Sequence, residues 1–236
     1  NVSNDYAAMT VVGPNARKIL APLTEQGLEN ADFPWFAVKT VNLGFASDVR
    51  MLRVNYEGEL GWEIYCPVQY QRGLIAQIHA EGQNHDLRLV GTQALESLRL
   101  EKSYRAMYRD MNPELTAWDS ALDRFIALDK GEFTGRAALI AAQAAGIRRR
   151  TVTVRIPAEG SSVIGGESLF HEGKLVGHLT SGGYSYTFGH DIGIALLPVE
   201  LGSPGTVLAL TLLGQARQAT VIAESPYDPR ADRARV

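Results

Sequence analysis

Between Asn55 and Tyr65 the chain runs Asn-Tyr-Glu-Gly-Glu-Leu-Gly-Trp-Glu-Ile-Tyr, which places three carboxylates, two glycines and three aromatic rings in one short stretch. An ionised carboxylate accepts paired hydrogen bonds from a ligand with adjacent N–H donors, and an aromatic ring flanks the face of a flat heterocycle. The three carboxylates differ in setting. Glu57 and Glu59 fall in a glycine-containing turn and read as turn residues, whereas Glu63 lies between Trp62 and Ile64 in a strand-like run. A carboxylate there needs a hydrogen-bonding partner, and a ligand donor is one candidate. The flanking runs, Val49–Val54 and Trp62–Cys66, alternate apolar and polar residues and predict two half-buried strands around the turn.

Tyr-x-Gly-Glu-x-Gly-aromatic-Glu, from Tyr56 to Glu63, resembles the folate-site signature of the aminomethyltransferase family, whose best-known member is the glycine-cleavage T-protein. Further family-like segments follow in order: Ser97–Arg105, Lys130–Arg136, Thr180–Tyr184 and Pro226–Pro229. The Glu-Lys-x-Tyr-Arg and Ser-Gly-Gly-Tyr variants are most similar to the folate-binding C-terminal region of dimethylglycine and sarcosine dehydrogenases. The resemblance implies tetrahydrofolate as cofactor, in a cavity shared between an α+β layer and a small barrel. It implies Tyr56 and Glu63 as pterin contacts, with Trp62, Arg99 and Tyr184 as further candidates, and transfer of a one-carbon unit from a small methylamine or aminomethyl donor. A flavoprotein or lipoyl-protein partner is implied too, with FAD only if a flavoprotein portion belongs to the enzyme.

The resemblance also has gaps. Ala7–Pro14 resembles a segment that family members reach after a long N-terminal portion, so the expectation is that the sequence starts inside the family fold. That portion contributes an aspartate in T-proteins, and no position here matches its motif, so the catalytic residue is unassigned; Glu59 and Asp48 are the carboxylates to test first. Leu95 stands where T-proteins commonly carry a folate-site arginine, and Glu132 stands where iron–sulfur repair relatives carry a cysteine, which disfavours that thiolate branch. The competing class is a non-catalytic folate-binding or assembly module of a larger flavoprotein complex. A hydrolase is a remote third reading, since no Gly-x-Ser-x-Gly elbow is present.

The elements that must position these residues predict an α+β fold: a mixed α/β layer domain over residues 1–147, then a small antiparallel β-barrel over 148–236. Helices are predicted for Asn15–Leu23, Gln69–Glu81 and Thr92–Glu101. An Ala-rich helix over Gly135–Ala145 ends at Gly146, ahead of the Arg148–Arg150 run. Beyond it, Thr151–Ile156, Lys174–Leu179, Ile192–Leu197, Val207–Leu212 and Gln218–Ala223 read as short strands, and Ser181–His190 as a hairpin that lacks the ending of a phosphate loop.

With 236 residues, 45% of them hydrophobic, the chain has enough apolar material for one large or two modest cores. A net charge of −3 gives no footprint for nucleic acid, and no apolar run approaches membrane-spanning length. The single cysteine, Cys66, excludes an internal disulfide and reads as a buried thiol; together with the absence of a visible secretion signal it leads to the expectation of a cytoplasmic location. His178 and His190 have no partner at metal-ligand spacing and read as surface or hydrogen-bonded residues. The bland readings stand beside the chemical ones. Tyr56 and Trp62 also suit a core, and Arg99 with Glu96, Glu101 and Lys102 suits a solvated charged helix face.

Overall fold

The computed structural model describes all residues from Asn1 to Val236. They form two compact units, Asn1–Leu95 together with Asp228–Val236, and Glu96–Tyr227. The segment after Glu96 is tied to the barrel's first strand: the Thr151 amide donates to the Asp119 carbonyl and the Arg105 guanidinium to the Thr151 carbonyl.

The first unit is built on a four-stranded antiparallel sheet of β1 (Tyr6–Val12), β2 (Val38–Leu43), β3 (Ala46–Leu52) and β4 (Gly61–Pro67), in the order β1-β4-β3-β2. The period-2 pattern read for Trp62–Cys66 holds: Trp62, Ile64 and Cys66 are buried while Glu63 and Tyr65 lie on the other face. Two helices, α1 (Ala16–Leu20) and α2 (Gln71–Gly82), bury Ile19, Leu20, Leu74 and Ile78 in the same core as Trp62, Met51 and Phe33. Cys66 is fully buried, and burial pushes its thiol above its ordinary pKa.

α3 (Thr92–Glu101) coincides with the predicted helix. In the second unit α4 (Arg136–Ala144) follows Gly135, whose φ of 92° supplies the turn into the helix. Six strands then close a barrel in the order β10-β5-β8-β7-β6-β9. They are β5 (Arg149–Ile156), β6 (Ser168–His171), β7 (Lys174–Ser185), β8 (His190–Pro198), β9 (Val207–Leu212) and β10 (Gln215–Ile222). β9 shows the half-buried alternation, with Leu208, Leu210 and Leu212 inside. β8 is buried on both faces, because Ala195 and Leu197 fill the barrel while Ile192 and Ile194 pack with Leu100.

β6 is absent from the sequence reading, since four residues with one buried apolar side chain carry no readable period. β7 runs on through Gly182 and Gly183 where the sequence suggested an end. A Cβ on Gly182 would meet Val163 Cγ2 at 2.7 Å, so these glycines mark close approach rather than a break. A short closing helix, α5 (Asp232–Arg235), returns to the first unit. No helix is long and apolar enough to cross a membrane.

Candidate functional site

In the first unit, β3 and β4 pair antiparallel with Arg50 opposite Tyr65 and Leu52 opposite Glu63, so the signature stretch is the connection of a hairpin, as its flanking alternation predicts. The turn is built by local bonds. The Asn55 side-chain oxygen accepts from the Gly58 amide at 2.8 Å, and Gly58 sits at φ 82°, a conformation that favours glycine. Glu57 is buried and accepts from the Tyr56 amide at 2.9 Å, while Glu59 is held by Arg233 at 2.7 Å. Both acidic turn residues therefore have a structural role inside the loop.

Glu63 differs from both. It lies half-buried on the face of β4 away from the core, and its Oε2 accepts a hydrogen bond from the Tyr65 hydroxyl at 2.8 Å. Oε1 takes no hydrogen bond from the protein. That bond to Glu63, with burial adding to it, raises the Tyr65 phenol above its ordinary pKa. The result is a carboxylate oriented on one oxygen and open on the other. Tyr65 was not singled out by the sequence reading, although its position two residues after Glu63 puts it on the same face.

Trp62 points the opposite way from Glu63. Its ring is fully buried, in edge-to-face contact with Phe33 at 6.1 Å, with the Arg17 and Arg53 guanidinium carbons 5.9 and 5.8 Å from its centroid. Strand alternation makes it a wall of the core, and it presents no ring face to a ligand on the Glu63 side. Arg53 is buried too, and desolvation lowers its pKa, with the neighbouring Arg17 charge adding to the effect.

In the second unit Arg99 is fully buried and its donors are committed. Nε and Nη2 donate to Glu96 Oε2 at 3.1 and 2.8 Å, and Nη1 donates to the Tyr104 carbonyl at 3.0 Å and to Asp110 Oδ2 at 2.8 Å. Asp110, equally buried, also accepts from the Ala106 amide and from the Thr180 and Ser181 hydroxyls. Arg99 is thus a structural keystone. The solvated charged face read for this helix is corrected: Arg99, Glu101 and Lys102 are all buried. Three-residue spacing found the Glu96–Arg99 pair, but Asp110 lies outside the helix and no periodicity links it to Arg99.

Tyr184 is half-buried near the end of β7, and its ring meets that of Tyr186 edge-to-face at 5.0 Å. The two histidines behave as read: His178 is exposed, and His190 Nδ1 lies 3.1 Å from the Phe188 carbonyl. Each unit thus carries its own candidates, Tyr56 and Glu63 in the first and Tyr184 in the second.

Residues 1–130 match the family described as the GCVT N-terminal domain, and residues 149–228 match the glycine cleavage T-protein C-terminal barrel domain. Among curated proteins, the chain is 36% identical over 227 residues to a mitochondrial dimethylglycine dehydrogenase of Rattus norvegicus, a match covering 95% of this chain and 26% of that protein. It is 31% identical over 224 residues to an aminomethyltransferase of Desulfitobacterium hafniense, covering 94% of this chain and 60% of that one. Glycine cleavage system aminomethyltransferase T from Bartonella henselae has a similar crystal structure, with a TM-score of 0.83 at 24% identity over 95% of this chain and 60% of that one, a likeness of fold. The chain therefore spans 26% of the length of that dehydrogenase and 60% of that transferase.

Proposed function

Because the chain belongs to the glycine-cleavage T-protein family, we propose that it binds tetrahydrofolate and serves in folate-dependent one-carbon transfer. The observation that carries this reading is Glu63, a strand-borne carboxylate held on Oε2 by Tyr65 and open on Oε1. A reduced pterin offers adjacent N–H donors, and a carboxylate with one fixed oxygen accepts from both at little ordering cost. The donor set fits the group: Glu63 would hold the amino-pyrimidine edge, and Tyr56 would flank the ring. Trp62 supports Glu63 from the core side, and Arg99 acts on folding, not on the ligand.

Bound tetrahydrofolate supplies the nucleophilic nitrogen that takes up the one-carbon unit. The chain's residues fix the orientation of that nucleophile, a contribution of positioning rather than of bond-making. The donor in this reading is a small methylamine or an aminomethyl group. The 36% identity to dimethylglycine dehydrogenase favours a methylamine. Any oxidation step would then fall to an FAD-bearing portion or partner, and an aminomethyl donor would arrive on a lipoyl protein. A cytoplasmic location belongs to the same reading, although the dehydrogenase relatives are named as mitochondrial.

Calorimetric titration with tetrahydrofolate tests it. Glu63→Gln is expected to weaken binding about ten- to a hundredfold, the worth of a charge-assisted hydrogen bond. Equal affinity in a folded mutant would remove Glu63 from the site, and no binding by the unmodified protein would end the folate reading.

A further inference from the structure

The face of the first unit's sheet that carries Glu63 is turned away from α1 and α2, whose buried side chains join Trp62, Ile64 and Cys66 on the other face. Strand alternation places Tyr6, Ala8 and Thr10 of β1, Glu63 and Tyr65 of β4, and Arg50 of β3 together on this outward face. The register orders them in rows. Thr10 stands opposite Glu63, Ala8 and Arg50 flank Tyr65 on either side, and Tyr6 stands opposite Pro67. Ala8 and Thr10 are small and exposed, so β1 leaves a low strip beside the carboxylate and the phenol.

Arg50 stands towards the far end of that strip. It is exposed, it has no carboxylate partner, and its guanidinium carbon lies 5.0 Å from the centroid of the Tyr6 ring. A ring under a guanidinium limits its sweep while leaving its N–H donors available. Tyr6 is four strand positions from Thr10, the residue opposite Glu63, which at the rise of a β-strand is about 13 Å. One sheet face therefore presents an acceptor open on Oε1 at one end and a mounted cation at the other, with Tyr65 between them. The ligand that answers this polarity is flat and extended, with N–H donors at one end and a carboxylate at the other.

Reduced folate is built in that order, from the amino-pyrimidine edge through the aminobenzoyl ring to the glutamate carboxylates. We infer, resting on the folate reading above, that Arg50 is a second ligand-binding residue of the first unit, which takes a carboxylate of the glutamate tail while Glu63 holds the pterin. An exposed arginine alone is a solvated charge. What distinguishes this one is its register with Glu63, the low strip between them and the ring that mounts it. The planar fork of a guanidinium matches a carboxylate with two parallel donors, which a lysine cannot reproduce.

The experiment titrates the 236-residue protein with tetrahydrofolate and with 6-methyltetrahydropterin, which keeps the donor edge and carries no carboxylate, each at low and at high salt. Arg50→Gln is expected to weaken tetrahydrofolate about three- to tenfold and to leave the pterin unchanged, whereas Glu63→Gln weakens both. Salt should weaken folate binding more in the unmodified protein than in Arg50→Gln, because an exposed charge pair is screened. Arg50→Lys should recover part of the lost affinity, and Tyr6→Leu should cost less than Arg50→Gln, since it frees the guanidinium without removing it. Equal weakening of both ligands by Arg50→Gln, or an unchanged folate affinity and salt dependence in that variant, would overturn the proposal. If the unmodified protein binds tetrahydrofolate no more tightly than the pterin, the Arg50 contact falls and the Glu63 reading stands; if it binds neither, both fall.

Discussion

The Tyr65 hydroxyl donates to Glu63 Oε2 at 2.8 Å, from two residues further along the same strand and on the same face. Neither residue needs the core for this, yet the strand fixes their separation, so the carboxylate is already oriented before any ligand arrives. The phenol pays no chemistry of its own in this arrangement; it acts through Glu63.

The first expectation concerns that phenol. Its pKa is raised, first by the bond to Glu63 and then by burial, so it keeps its proton above the ordinary tyrosine value near 10. The stabilisation is fully present below that value and is lost as pH rises through the higher folded-state pKa. Ultraviolet titration should show a late-ionising tyrosine that Glu63→Gln brings down. A titration unchanged by the mutation would show that the bond does not persist in solution.

A second expectation is that Asp110→Ala unfolds or severely weakens the second unit. It removes the fully buried carboxylate partner of Arg99, leaving only the part-exposed Glu96 against the guanidinium, and takes an acceptor from the hydroxyls of Thr180 and Ser181. Breaking a buried pair from one side costs about 3–5 kcal/mol. Denaturant unfolding would measure it, and a loss within about 1 kcal/mol would contradict the keystone role of Arg99.

Asp191 gives a third, with the opposite pH sign from a paired carboxylate. It is fully buried, its Oδ1 has no partner, and desolvation raises its pKa even though the Val163 amide donates to Oδ2 at 3.2 Å. An unfolded aspartate releases its proton near 3.9, earlier than the folded one, so stability contributed at acid pH declines as pH rises through that window. Asp191→Asn should therefore raise the melting temperature at neutral pH, and the gap should shrink below about pH 4. A mutant less stable at neutral pH than the unmodified protein would show that the ionised carboxylate is needed.

The fourth is the boundary near residue 147, proposed from the sequence. Gly146 and Arg148 are exposed between α4 and β5, whereas Arg149 donates to the Glu114 carbonyl at 2.7 Å and Arg150 is paired with Asp123. Limited trypsin digestion should cut first after Arg148. First cleavage elsewhere, read by mass spectrometry, would show that this connection is not the weakest exposed link.

Much of the fold was legible because local periodicity survives packing. The alternation through Trp62–Cys66 and Val207–Leu212 and the helix over Thr92–Glu101 stand in the structure as the sequence predicts them. Strand alternation also contained the decisive fact about the site, that Trp62 and Glu63 face opposite ways, and with it the pairing of Glu63 with Tyr65. What the tertiary structure alone decided are the contacts between residues remote in sequence. Arg99 reads as a solvated helix charge until Asp110 and the Thr180–Ser181 hydroxyls close around it, and Glu101 until Ser185 and Thr187 arrive from a hairpin 84 and 86 positions away. A charged side chain in a sequence carries no mark of burial. Its burial depends on partners that compensate its desolvation, and those partners are chosen by the path of the chain.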